Sequence, residues 1–255
     1  MNYNNCNAVI TGGASGLGGA TADSIIEHGG RVTIIDIQEK LGKNKQEELG
    51  SNCQYLNIDI TNEDLILKSF TKIIENTGPI NLTVNCAGIG SPSKVLNKEG
   101  TCPLNLFSKI ISVNLIGTFN TLKAAANVMQ NNNIEEHTSR GVIINTASIA
   151  AYDGQIGQAA YSASKGGIVG MTLPIARELA RQSIRVNTIA PGLFETPLLA
   201  GLPEDAKRSL IDSTLHPHRL GQPYEYAALV KHIYENEMLN GETIRLDGSL
   251  RMAPK

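Results

Sequence analysis

Residues 11–20 read TGGASGLGGA; they continue the β-branched run NAVIT (7–11) and lead straight into a helical pattern at 17–29. The glycines therefore sit where a strand turns sharply into a helix amino terminus, the place where free N–H groups and the helix dipole face an anion. In that setting Gly12 allows the tight turn, Gly16 lets backbone approach a pyrophosphate, and Gly18 permits close helix–sheet contact. A glycine cluster also serves as an ordinary turn, so its surroundings decide its meaning. Asp36 closes the next β-branched run, RVTIID (31–36), 20 residues beyond Gly16. A carboxylate there accepts hydrogen bonds from an adenosine ribose and repels a 2′-phosphate. Neither Ser15 nor Ile37 supplies a positive charge to welcome that phosphate. Loop and acid together predict a site for NAD rather than NADP.

Outward from this unit the same rhythm repeats. Short β-branched runs at 53–58, 80–85, 141–147, 184–190 and 242–247 alternate with helical patterns at 62–76, 103–130, 158–181 and 223–235. Such alternation predicts an α/β fold, a single-domain, doubly wound, Rossmann-like parallel sheet flanked by helices on both faces. With 255 residues, 41% of them hydrophobic, and no linker, the chain reads as one domain spanning 1–255. Two loops exceed what connection requires, 88–103 and 130–141. The first follows a strand's carboxyl end, where doubly wound sheets bind ligands. The stretch 193–222, with Pro197, Pro203 and Pro217 and a short helical pattern, reads as a lid over the site. His216 and His218 lie in it and read as exposed loop residues.

Composition narrows the partners. A net charge of −2 lacks the basic excess that nucleic-acid or anionic-membrane binding needs, which leaves small molecules as the expected ligands. No apolar run is long enough to span a bilayer. Cys6, Cys53, Cys86 and Cys102 form no CxxC pair and have no His partner at metal-ligand spacing, so neither a disulfide framework nor a metal site is expected. The start MNYNNCNAVI contains no Arg or Lys and no amphipathic targeting stretch, which keeps a cytoplasmic address as an alternative while composition alone leaves the compartment open.

A second constellation lies in AAYSASKGGIVG (159–170). Tyr161 and Lys165 fall one turn apart on one helix face, and Ser148 lies just past the end of the run GVIINTA. Alone, a Tyr-xxx-Lys pair is an ordinary helix face. Beside a nicotinamide site it acquires a chemical logic, because moving a hydride from an alcohol carbon requires a proton to leave the oxygen. Tyrosine is a poor base until a nearby cation stabilises its phenolate, and Lys165 together with an oxidised nicotinamide supplies that charge. The Ser148 hydroxyl can hold the substrate oxygen as its charge changes.

TGGASGLG, NCAG (85–88), Asn114 in SVNLIG, Ser148, Tyr161-xxx-Lys165 and PG (191–192) occur in the order and approximate spacing of the short-chain dehydrogenase/reductase family. The chain resembles a complete member. The resemblance implies a seven-stranded sheet and, as catalytic residues, Tyr161 as general acid/base, Lys165 lowering its pKa and holding nicotinamide ribose, Ser148 orienting substrate, and Asn114 anchoring a water in a proton relay. It also implies that Ser15, Leu17, Asp36, Asp59, Ile60, Cys86, Phe194 and Thr196 contact NAD, several through backbone, and that Gln155 and Gln158 face substrate. Asp59 either accepts from the adenine amino group or caps the helix beginning near Asn62. Cys86 alternatively reads as a small buried hydrophobe, and Thr196 as a loop hydroxyl.

Segments 141–180, 190–199 and 239–252 are most similar to the branch of the family that oxidises the 3-hydroxyl of short- or branched-chain acyl-CoA thioesters and also takes hydroxysteroids. That similarity implies a homotetramer in mitochondria, and a second, non-catalytic scaffold role in transfer-RNA processing without direct RNA contact. The alternative enzyme reading is a 3-oxoacyl-carrier-protein reductase, which Asp36 without a neighbouring base disfavours because such enzymes usually prefer NADP.

Overall fold

The computed structural model describes residues 1–98, 100–134, 139–200, 211–212 and 214–254. Seven parallel strands form one sheet: β1 (Asn7–Thr11), β2 (Arg31–Asp36), β3 (Cys53–Asn57), β4 (Leu82–Asn85), β7 (Gly141–Thr146), β8 (Ile184–Pro191) and β9 (Thr243–Leu246). They lie in the order β3-β2-β1-β4-β7-β8-β9. The chain walks outward from β1 to β3, then returns to the other side of β1 with β4. The reversal opens a crevice at the carboxyl ends of β1 and β4, where such sheets bind ligands.

Both faces of the sheet are covered, so the central strands are apolar on both sides instead of alternating. On one face Ala8, Ile10, Val32 and Ile34 pack with Tyr226, Val230 and Ile233 of α8 (Pro223–Glu235) and Ile25 of α1 (Gly16–Glu27). On the other Val9, Ile35 and Ile143 meet Ile66, Phe70 and Ile73 of α3 (Glu63–Thr77) and Leu122 of α5 (Thr118–Met129). Each fully buried side chain of this size contributes roughly 1.5–3 kcal/mol, and two such cores hold the carboxyl-end loops on a rigid base.

The seven strands and the helices α1, α3, α8 and α6 (Ala159–Leu179) fall where the sequence puts them, within a few residues. Two features differ. Helix α2 (Glu39–Leu49) carries no sequence expectation because it has no apolar stripe; Gly42 is its one buried residue, pressed under the Tyr55 ring. The helix expected at 103–130 is broken into α4 (Leu104–Ile111), a π-helical segment Ser112–Gly117, and α5. Such π segments widen the backbone locally and cluster at functional sites.

The long loop 88–103 folds back as a small hairpin of β5 (Leu96–Asn97) and β6 (Gly100–Thr101). The lid begins with a short helix α7 (Pro197–Ala200), and its two ends are tied by the Phe194–Gly221 bridge. Residues 201–210 of the lid, where the sequence puts part of its short helical pattern, and 135–138 of the 130–141 loop lie outside the described residues. Among the described residues no helix is long and apolar enough to cross a membrane, and no cluster of His, Cys, Asp and Glu could hold a metal ion.

Candidate active site

The turn after β1 is shaped for backbone to approach a ligand. Gly12 has φ +65°, and a Cβ there would lie 2.8 Å from Ala87 at the end of β4, so only glycine lets the turn lie against that strand. A Cβ at Gly18 would collide with the Gly12 carbonyl, so the first turn of α1 rests directly on the loop. Ser15 is the N-cap position of α1 but makes no side-chain capping bond, and α1 has no acidic residue in its first turn. The helix's leading N–H groups and positive dipole end thus have no side-chain counter-charge of their own. Leu17 is half-buried against the core behind this turn. A Cβ at Gly16 would sit 3.5–3.6 Å from Pro197 and Thr196, so the start of the lid lies across the glycine loop. This is the cradle a dinucleotide pyrophosphate needs.

The carboxylates flanking it are held differently. Asp36 is 8% exposed; it accepts hydrogen bonds from Ala14 N (3.3 Å) and Gln38 N (3.0 Å), which fix it at the rim of the loop. Ile37 beside it is exposed and uncharged. Asp59 Oδ1 accepts from both the amide and the hydroxyl of Thr61 (2.9 Å each), while Asn62 caps α3 through the Leu65 amide. Asp59 is therefore not the helix cap. Ile60 is buried beneath Gly117, and its carbonyl accepts from Asn120 Nδ2 (3.2 Å).

Ser148, Tyr161 and Lys165 converge on the same end of the sheet. Ser148 follows β7, is the N-cap of a 3-10 turn, and its hydroxyl accepts from the Ala150 amide (3.1 Å). Burial pushes the Tyr161 phenol above its ordinary value, while a hydrogen bond with Ser148 pulls it down. Lys165, 4% exposed, donates to the Thr146 carbonyl (2.8 Å) and lies 5.7 Å from the centre of the Tyr161 ring. Burial pushes its ammonium down to about 8. In the protein alone, Ser148 rather than Lys165 is the group that lowers the Tyr161 phenol. The pair reaches the glycine loop through one backbone segment. Ala87 touches Gly12, and a Cβ on the next residue, Gly88, would stand 3.5 Å from Lys165 Nζ.

Asn114 sits fully buried in the π-helical segment. Its amide brackets the Ile89 backbone (Ile89 N to Oδ1, 2.8 Å; Nδ2 to Ile89 O, 2.9 Å) and donates to Ser164 (3.1 Å). Its side chain thus pins the loop after β4 to α6, and its own carbonyl accepts from Thr118 (2.7 Å). Cys86 is held by Thr146 (3.4 Å) and Tyr226 (3.6 Å), and burial pushes its thiol up, so it is no reactive thiolate. Tyr226 from α8 also bonds the Thr146 hydroxyl (2.7 Å). No sequence signal marks Tyr226 or Thr146, because their contact joins residues 80 positions apart.

Across the cleft, Phe194 is buried, and Thr196 lies 3.4 Å from its carbonyl. Gln155 and Gln158 lie in the loop entering α6: Gln158 Oε1 accepts from Gln155 N (3.0 Å), and Gln155 Nε2 donates to Ala253 O (3.0 Å). Beside them an open cavity of about 550 Å³ is lined by Ile156 and Gly157 and, from the hairpin loop, Pro92, Lys94, Leu96 and Lys98.

A sequence profile of the short chain dehydrogenase family matches residues 6–207. The chain is 51% identical to 3-hydroxyacyl-CoA dehydrogenase type-2 of Bos taurus over 249 residues, covering 97% of this chain and 95% of that protein. It is 48% identical to the protein of the same name from Drosophila melanogaster, covering 98% and 99%. The crystal structure of 3-hydroxyacyl-CoA dehydrogenase type-2 from Mycobacterium avium superposes with a TM-score of 0.94 at 35% identity, covering 99% of this chain and 98% of that one.

Proposed function

The chain belongs to the short chain dehydrogenase family, and from that premise we propose that it oxidises the 3-hydroxyl of short- or branched-chain 3-hydroxyacyl-CoA with NAD, taking hydroxysteroids as secondary substrates. The observation that carries the reading is the joint between the two halves of the cleft. Tyr161 has Ser148 as its side-chain neighbour and the Lys165 ammonium near its ring, and Lys165 in turn lies against the Ala87–Gly88 segment that touches the glycine cradle. Bound NAD supplies a carbon that accepts the hydride. The protein's own groups handle the oxygen: Ser148 holds it, and Tyr161 as phenolate takes its proton as the C–O bond gains double-bond character. The bond of Lys165 to Thr146 keeps it in reach, and with NAD bound its charge would add to the influence of Ser148 in favouring that phenolate. Asn114 holds the loop that joins the halves.

The choice of NAD rests on Asp36, fixed at the rim, with the uncharged Ile37 next to it in sequence. The acyl-CoA half of the reading comes from the activity named for the relatives, and the cavity beside residues 155–157 suits it. Lys94 and Lys98 offer charge for phosphates, and Leu96 and Ile156 offer apolar surface for the pantetheine arm. The same reading carries a homotetramer in mitochondria. Leu104, Phe107, Ile116 and Phe119 stand exposed along α4, the π-helical segment and α5, a surface suited to a second copy.

The test is a panel of substrates against both cofactors. Purified protein is expected to reduce NAD with 3-hydroxybutyryl-CoA or its 2-methyl analogue, and less well with a hydroxysteroid. Turnover only with NADP, or only with free alcohols and sugars, defeats the assignment.

A further inference from the structure

The substrate side of the cleft is built from loops, and one side chain ties them together. Arg245, on the last strand, gives Nη2 to Asp153 (2.7 Å) and Nε to Asp247 (2.7 Å), and Nη2 also donates to the Leu250 carbonyl (3.0 Å). Its guanidinium lies 5.1 Å from the Tyr152 ring centre. Asp153 belongs to the segment between Ser148 and Tyr161, and its next neighbour packs on the helix itself: a Cβ at Gly154 would collide with the Ser162 hydroxyl. Asp247 abuts the lid's origin, since a Cβ at Gly192 would lie 2.8 Å from its Cα and Cβ. The chain beyond Arg245 returns to the same segment, where Pro254 O accepts from Ile156 N (3.0 Å) and Ala253 O from Gln155 Nε2 (3.0 Å).

The ion pairs are largely withdrawn from water, with side-chain exposures of 22% for Arg245 and Asp153 and 7% for Asp247. A planar fork reaching two carboxylates and a carbonyl fixes direction as well as distance, which one exposed pair does not. None of these groups touches the glycine loop or Lys165 in the contacts above. The network therefore acts on one wall of the cleft.

We propose that Arg245 is a positioning residue: by bridging Asp153 and Asp247, with the carboxyl-terminal strip 253–254, it holds residues 152–158 in the register that sets affinity for the substrate. The inference rests on the reading that this segment faces the acyl substrate. The experiment compares wild type, Arg245→Met, Arg245→Lys, Asp153→Asn and a chain ending at Met252. The readouts are KM for 3-hydroxybutyryl-CoA, NADH affinity by fluorescence, and amide hydrogen exchange over 152–158.

Arg245→Met is expected to raise KM by about tenfold, with NADH affinity within about twofold of wild type and faster exchange at Ile156. Arg245→Lys, which keeps the charge and one carboxylate contact, should fall between the two. Asp153→Asn and the shortened chain should shift the same readouts in the same direction, and they carry the test if Arg245→Met does not fold. An unchanged KM, or an equal loss of NADH affinity, overturns the proposal. If wild type does not turn over the acyl-CoA, the functional reading fails, and hydrogen exchange still decides whether Arg245 orders the segment.

Discussion

On the cofactor side of the cleft, position is set by backbone: Gly12 in a left-handed conformation against Ala87, Gly18 against the Gly12 carbonyl, and helix N–H groups left open. On the substrate side it is set by side chains reaching across the sequence, with Arg245 to Asp153 over 92 residues and Gln155 to Ala253 over 98. Backbone geometry resists change because any Cβ in the wrong place meets atoms that cannot move. Side-chain ties can be retuned one at a time. The contrast accounts for a fold that keeps one cofactor chemistry while varying what it oxidises.

The comparison breaks most sharply at Gly18. Gly18→Val puts bulk into the Gly12 carbonyl and is expected to abolish NADH binding, read as loss of the fluorescence enhancement, with secondary structure retained by circular dichroism. Next is Lys165, which joins the two sides. Lys165→Met is expected to remove turnover yet raise stability at neutral pH. Lowering the ammonium from 10.5 to about 8 represents about 3 kcal/mol of unfavourable burial. Loss of the bond to Thr146 O offsets about 1 kcal/mol of that gain. The sign follows from the lowered folded value: wild type carries the full penalty below pH 8 and sheds it as pH rises from 8 towards 10.5. The Tm advantage of the variant should shrink over that window; thermal unfolding at several pH values measures it.

Asp36→Ala tests the cofactor side more gently. Removing the rim carboxylate is expected to lower kcat/KM for NAD by about tenfold and to narrow the gap to NADP, because a charge-assisted hydrogen bond and a repulsion leave together. Steady-state kinetics with both cofactors, at fixed substrate, gives the ratio.

The same contrast governs what could be read from the amino acids. The strands and the glycine turn were legible because β-branched runs and glycine spacing act locally, and Asp36 lies at a fixed distance from that turn. Tyr161, Lys165 and Ser148 were legible because helix spacing and a strand end place them. Helix α2 was not, since its surface is solvated and Gly42 under Tyr55 leaves no apolar period. Nor was the π-helical segment that turns Asn114 inward, which follows from its bonds to Ile89 and Ser164. Tyr226, Thr146 and Arg245 carry no local signal, because their partners are distant in sequence. The bonds of Gln155 and Gln158 to the tail and to each other were not legible either, since they too join distant residues or depend on the loop's turn.

The central claim is that Tyr161, half-buried with Ser148 and Lys165 beside it near the glycine cradle, moves the substrate proton in an NAD-linked oxidation. The most direct measurement is the rate of NAD reduction with 3-hydroxybutyryl-CoA by wild type and Tyr161→Phe. Phenylalanine keeps the ring and removes only the hydroxyl. The expected result is clear turnover by wild type and a loss of at least about 10³-fold in the variant, with NADH affinity preserved. A variant that keeps wild-type turnover would contradict the assignment of Tyr161 as the acid/base.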